Sequence, residues 1–254
     1  MPVEIETEGH LAIITLNRPE ARNAINGEMA STMEACLDEY EDNPDLWCAI
    51  LRSEGTVFSA GADLKEVSAG NGAALATRKG GFAGITRRER TKPLIAAIQG
   101  TAVAGGCEIS LSCDLIVAST ETVFGLAEVK RSLAAAAGGL FRLPRALGMV
   151  TAMEAIMTGE PIPAQRAYEL GMVNKVVEPD QVMAEARDLA ERILCNAPLA
   201  VFASRKVAAR AMMDSDDDLW RASGEAMRSL AGTEDYKEGP LAFIEKRDPV
   251  WKGR

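Results

Sequence analysis

Phe58-Ser59-Ala60-Gly61-Ala62-Asp63-Leu64-Lys65 runs from the end of an apolar segment, through small residues, into a helix-forming stretch. Gly100-Thr101-Ala102-Val103-Ala104-Gly105-Gly106-Cys107-Glu108 repeats the same design further along the chain. Each glycine turn follows an expected strand and precedes an expected helix. Backbone N–H groups are free at such a point, because the first turn of a helix has no internal acceptors. The helix dipole also favours negative charge there. Glycine is needed where a Cβ would keep a substrate away. Two such ends converging on one point would form an oxyanion hole. Either turn taken alone is only a tight turn. Neither reads G-x-G-x-x-G, and no G-x-x-x-x-G-K-[ST] occurs, so the nucleotide-binding loops are excluded.

Outward from these turns, the chain alternates strands and helices. Val3 to Glu8 and Leu11 to Leu16 read as a hairpin about Gly9-His10. A helix is predicted from Gly27 to Asp42, with Met29, Met33, Leu37 and Tyr40 on its apolar face. Further strands are expected at Trp47 to Arg52, Leu94 to Gln99, Leu115 to Ala118 and Val123 to Leu126. Val67 to Lys92 is irregular, rich in Gly and Ala and then basic; a mobile loop is expected there, with a helix around Phe82 to Thr91. From Leu140 the pattern is almost wholly helical, with one short strand at Val173 to Val177. This order implies an α/β core followed by a helical region.

Composition narrows the function. The 254 residues are 47% hydrophobic and 26% charged, as in an ordinary globular protein. The net charge of −9 disfavours nucleic acid and anionic membrane as partners. No apolar run is long and clean enough to span a bilayer. Five cysteines have no metal-ligand spacing, and no signal peptide opens the chain, so reduced thiols in the cytoplasm are expected. The one histidine, His10, sits in a turn, which argues against Ser-His-Asp hydrolysis and most zinc sites. Acid–base work therefore falls to carboxylates. Glu108 follows the second glycine turn and Glu128 lies just past the strand ending near Leu126. Two carboxylates beside an apolar pocket can divide their roles, one protonated and one ionised. They suit the movement of water across a double bond, with the division between them left open.

At this point the motifs are recognisable. Ser59 to Lys65, Ala104 to Glu108, Phe124-Gly125-Leu126-Ala127-Glu128 and Gly138-Gly139-Leu140-Phe141-Arg142-Leu143-Pro144 resemble the crotonase (enoyl-CoA hydratase/isomerase) superfamily. So do Leu16 to Ala24, Thr158-Gly159-Glu160 and Gly171-Met172-Val173-Asn174, so the resemblance covers essentially the whole chain. It implies a β-β-α spiral core (1–195) and a C-terminal helical trimerisation region (196–254). It implies an acyl-CoA thioester as substrate, no cofactor beyond that CoA, no metal, and a homotrimer or a hexamer of two trimers. Glu108 and Glu128 map to the catalytic glutamates of the hydratases. Ala62 and Gly105 map to the oxyanion hole. CoA contacts would come from Arg22, Ala24, Ala60, Asp63, Leu64 and Lys65, with Phe243 and Lys246 reaching a neighbouring subunit's CoA. The tail from Glu238 to Arg254 and the piece Gly80-Gly81-Phe82-Ala83-Gly84 are similar to carnitinyl-CoA dehydratases. A quaternary ammonium substrate would ask for an aromatic cage, with Phe82, Phe141 and Trp220 as candidates. Where the family has Pro and Gly or Asp before Gly138, this chain has Ala134-Ala135-Ala136-Ala137. The implied activity is enoyl-CoA hydration, with carnitinyl-CoA dehydration, enoyl-CoA isomerisation or non-catalytic acyl-CoA binding as alternatives.

Overall fold

The apolar segments pair as the strands of one large sheet. A computed structural model describes residues 1–254. β1 (Val3–Glu8) and β2 (Leu11–Leu16) form the antiparallel hairpin, with Val3 opposite Leu16. Every residue of β2 is buried, because the sheet is covered on both faces. Ala12, Ile14 and Leu16 enter the main core, while Leu11 and Ile13 enter a smaller one behind it, as the two-residue period of a strand requires. α1 (Gly27–Asp42) packs on the main-core side through Met29, Met33, Leu37 and Tyr40. Asn26 caps it by accepting the Met29 N–H at 2.9 Å.

The next part is a spiral of β-β-α turns. β3 (Cys48–Ser53) and β4 (Val57–Ser59) lead into α2 (Leu64–Ser68). After a small hairpin of β5 (Ala76–Thr77) and β6 (Gly81–Phe82), β7 (Leu94–Ile98) and β8 (Thr101–Val103) lead into α3 (Gly105–Ser110). β9 (Leu115–Ser119) and β10 (Val123–Gly125) lead into a 3-10 turn at Ala127–Arg131. The first strand of each pair joins the large sheet and the second joins a small one. With the later β11 (Ile162–Pro163) and β12 (Lys175–Val177), the sheets run β1-β2-β3-β7-β9-β12 and β11-β10-β8-β4. β4, β8 and β10 are parallel neighbours, so the segments leaving their carboxyl ends emerge side by side.

The remaining helices are α4 (Gly139–Leu147), α5 (Met149–Thr158), α6 (Ala164–Glu169), α7 (Val182–Leu194), α8 (Pro198–Ala208), α9 (Asp216–Leu230) and α10 (Glu234–Glu245). α7 closes the smaller core through Val182, Ala186 and Ala190. α9 buries none of its residues, and Trp220 on it is 77% exposed. The tail folds back over α10: Asp235 accepts the amides of Lys252 and Gly253 at 2.8 and 2.9 Å, and the Trp251 indole donates to the Cys195 carbonyl.

Three sequence expectations fail. Thr101–Val103, read within the second glycine turn, is the strand β8, paired with β4 and β10. No helix forms over Phe82 to Thr91; β6 is followed by turns. Ala83 and Gly84 take left-handed backbone there, as does Gly81 before them, which breaks a helix. Polar groups in and just before this segment also bond outward: Glu34 of α1 accepts the Gly80 N–H at 2.8 Å and the Thr77 hydroxyl, and Arg88 pairs with Asp38. β11 carries no strand signal because prolines flank and end it, and it survives as a two-residue edge strand.

Candidate active site

The two glycine turns touch. A Cβ on Gly61 would lie 2.7 Å from the Gly105 nitrogen, and one on Gly106 would lie 2.1 Å from the Ser59 carbonyl oxygen. Only glycine permits that approach. The first turn is pinned along its length. Ala60 donates to Arg22, Gly61 to the Ser59 hydroxyl, and Asp63 to the Ile25 carbonyl, while Gly61 accepts from Ile25. The buried Asn23 amide holds this support by donating to the Glu54 and Val57 carbonyls at 2.9 and 2.8 Å. The Ala62 N–H, between these engaged amides, has no acceptor in the chain. The Gly105 N–H opens α3 and has none within its own helix. Ala104 before it sits at φ 50°, ψ −127°, a strained conformation held by its own N–H to Gly125.

The carboxylates complete the same wall. Glu108, on the first turn of α3, is 3% exposed. Its Oε1 accepts the Gly139 N–H at 2.9 Å. Burial pushes its carboxyl up to about 7, against the pull of the Gly139 amide and with the help of the Glu128 charge. Glu128 stands on the 3-10 turn after β10. Burial raises its carboxyl too, and its Oε2 is buried without a hydrogen-bond partner. Both glutamates line one cavity of about 770 Å³ with Ala62, Gly105 and Phe82. The loops after β4, β8 and β10 thus each supply a part, the usual place for a ligand at the carboxyl ends of parallel strands.

Arg22, Ala60 and Leu64 also line this cavity. Ala24, Asp63 and Lys65 lie beside it and are not in its wall. Asp63 accepts from Arg18 at 2.8 Å and caps α2 through the Lys65 N–H at 3.0 Å; the Arg18 bond holds its carboxyl below the usual range. The Ala24 carbonyl is taken by Arg18. Phe243, 85% exposed, and Lys246 sit at the end of α10, outside the cavity of their own chain. The three aromatic candidates are not brought together: Phe82 lines this cavity, Phe141 a different one, and Trp220 stands exposed on α9.

Three contacts within the site lie beyond the sequence reading. The Phe82 ring lies where a Cβ on Gly105 would be, 2.5 Å from that position. Gly139 supplies the amide for Glu108, and a Cβ there would press on Leu126 at 2.8 Å. Arg142 braces the turn before Gly139 by donating to the Ala137 carbonyl at 3.4 Å and the Thr86 carbonyl at 2.7 Å. The Gly138-Gly139 pair is a visible signal for the second of these, but nothing in sequence ties it to Glu108.

Comparison with known proteins bears on the family and the fold. Residues 6–254 match the family described as enoyl-CoA hydratase/isomerase. The short-chain-enoyl-CoA hydratase of Clostridium acetobutylicum is 40% identical over 250 residues, covering 96% of this chain and 95% of that protein. The carnitinyl-CoA dehydratase of Salmonella typhimurium is 38% identical over 258 residues, covering 99% and 98%. The crystal structure of an enoyl-CoA hydratase from Mycobacterium tuberculosis superposes with a TM-score of 0.95 at 40% identity, covering 100% of this chain and 99% of that one. Motif order, spiral fold and sequence identity coincide over the same residues, and the chain belongs to the enoyl-CoA hydratase/isomerase family.

Proposed function

We propose that this chain is a hydro-lyase that reversibly adds water to a 2-enoyl-CoA thioester. The observation that carries this reading is the placement of Glu108 and Glu128 in the wall that also holds the Ala62 and Gly105 amides. The thioester carbonyl accepts from those two amides. As the water oxygen bonds to C3, the double-bond electrons move toward the thioester and charge grows on its oxygen. Amides fixed in advance favour that charge, and losing one such donor typically slows a reaction ~10²–10³-fold. Glu108, oriented by the Gly139 amide, takes the proton of the water. Glu128, whose buried Oε2 has no partner, delivers the proton to C2. The two titrate as a coupled pair, and no resident cofactor or metal is invoked.

The CoA end is assigned to Arg22, Ala24, Ala60, Asp63, Leu64 and Lys65. Phe243 and Lys246 serve the CoA of a neighbouring subunit in a trimer or a hexamer of two trimers. Their exposure, with that of Ile244 and Trp220, supports assembly through the region 196–254, apart from a core of 1–195. No helix is long and apolar enough to cross a membrane. The five free thiols fit a reducing compartment such as the cytoplasm.

The acyl group is read as one without a positive charge. Arg78, Arg87 and Arg131 line the cavity and Phe82 is its one aromatic side chain, which disfavours a quaternary ammonium. The test is steady-state turnover of crotonyl-CoA and crotonobetainyl-CoA by the assembled protein. Hydration of crotonyl-CoA with a clearly higher kcat/KM is expected. Turnover of crotonobetainyl-CoA alone would overturn the acyl assignment, and turnover of neither substrate would overturn the hydratase reading.

A further inference from the structure

A second cavity, of about 1120 Å³, includes Arg142 in its lining and shares Arg87 with the first. Arg88 and Arg90 enter it from the loop before β7, Arg142 and Arg145 from α4, and Arg205 and Arg210 from α8 and the turn beyond. Glu89 and Asp114 are the only acids in its lining. Asp114 is shared between Arg90 at 3.1 Å and Arg205 at 2.8 Å. Arg210 is held by Asp214 and Arg88 by Asp38. Arg142 and Arg145 have no carboxylate in salt-bridge range; both guanidinium groups lie over the Phe141 ring, at 5.4 and 5.2 Å. The side chain of Arg88 is 2% exposed, yet its Nε and Nη1 have no hydrogen-bond partner.

This surplus stands in a chain whose net charge is −9. Like charges gathered in a cleft repel one another and focus a strong positive potential into it. Guanidinium forks match phosphate oxygens in bidentate pairs. The volume is that of a site for a small organic ligand. We propose that this cavity binds a polyphosphate anion, at a site distinct from the enoyl-CoA cavity. An anion there would balance the charge of Arg142 and Arg145, which have no carboxylate partner. The diphosphate could be carried by a free nucleotide or by a second molecule of CoA.

The test is calorimetric titration of the full-length, assembled protein with inorganic pyrophosphate. One ion per chain is expected to bind, and with lower affinity as salt rises. Arg145→Ala together with Arg210→Ala is expected to weaken binding about tenfold or more. Lys206→Glu, an exposed lining residue in no ion pair, provides a second variant that leaves packing alone and is expected to weaken binding too. Arg22→Ala, in the other cavity, is expected to leave pyrophosphate affinity unchanged. Displacement of pyrophosphate by ADP and not by CoA would identify a free nucleotide. Displacement by CoA, with two CoA bound per chain, would identify a second CoA. Absence of binding at millimolar pyrophosphate overturns the proposal. So does binding that is lost with Arg22→Ala and kept in the Arg145 and Arg210 variant.

Discussion

The two carboxyls of the cavity wall show the same functional group held in different ways. Glu108 is closed in by α3 and α4, and one of its oxygens is fixed by the Gly139 amide. Glu128 sits half-buried on a 3-10 turn, and its buried Oε2 meets no donor. Desolvation raises both carboxyls, but only the Glu108 side offsets it with an amide from another element. That contrast separates orientation from proton affinity. A carboxylate locked by an amide suits the holding of a water molecule. A buried oxygen with no donor facing it suits the carrying of a proton.

The largest effects should come from removing either acid. Glu108→Gln and Glu128→Gln are each expected to lower kcat for crotonyl-CoA hydration ~10²–10⁴-fold, the usual range for a positioned acid or base. Glutamine preserves shape, and at position 108 it keeps an oxygen for the Gly139 N–H. The contrast between the two sides is read with butyryl-CoA, which cannot be hydrated but can exchange its C2 proton with deuterated water. Exchange should vanish in Glu128→Gln and persist in Glu108→Gln. The opposite pattern would reverse the roles given to the two glutamates, and full hydration activity in either variant would end the two-acid mechanism.

A smaller loss is expected from the glycine turns. The Cβ of Gly61→Ala meets backbone, 2.7 Å from the Gly105 nitrogen, at a φ of 87° that alanine tolerates poorly. It should push the Gly105 amide off target and reduce kcat ~10²–10³-fold with little change in KM. The Cβ of Gly105→Ala meets the far edge of the Phe82 ring, 2.5 Å away, and the nearest backbone, the Gly61 Cα, is at 3.2 Å. A ring can swing aside, so this variant should retain more activity and more stability than Gly61→Ala. Thermal melts beside kcat measurements decide it: if Gly105→Ala is the more damaged of the two, the ring is a fixed part of the site.

These contrasts also mark how far the sequence could be read. The glycine turns and both glutamates were legible because their signals are local: a strand, a small-residue turn, a helix start, and an acid at a set offset. The helix from Gly27 to Asp42 was legible for the same reason, through the spacing of Met29, Met33 and Leu37. Phe82 was not. It sits between Gly81 and Gly84 in a segment whose shape is imposed by Glu34 and Asp38 on α1, more than forty residues away. Gly139 was legible as part of a motif but not as a partner of Glu108, since a backbone amide carries no side-chain signature. The role of Asp63 went the other way. Its place beside the turn was visible in sequence, but its bond to Arg18 depends on how two distant loops pack.

The smallest expected difference between the two glutamates lies in stability. The ordinary value for a glutamate carboxyl is 4.5, and in the folded chain Glu108 is pushed up to about 7. Below 4.5 both folded and unfolded chains hold this proton, and the group does not affect stability. Between 4.5 and about 7 the unfolded chain gives up the proton while the folded chain keeps it, so stability falls as pH rises. Above that range the folded chain carries a buried carboxylate, at a penalty of about 3 kcal/mol. Glu108→Gln removes that penalty. It should therefore be more stable than the parent at pH 8 and match it near pH 4.5, by denaturant unfolding of the assembled protein at each pH. Glu128→Gln should shift in the same direction by less, because Glu128 is only half-buried. If Glu108→Gln instead destabilises the chain at pH 8, the Gly139 amide and its neighbours favour the charged carboxylate more than burial opposes it, and Glu108 would then enter the reaction ionised throughout the neutral range.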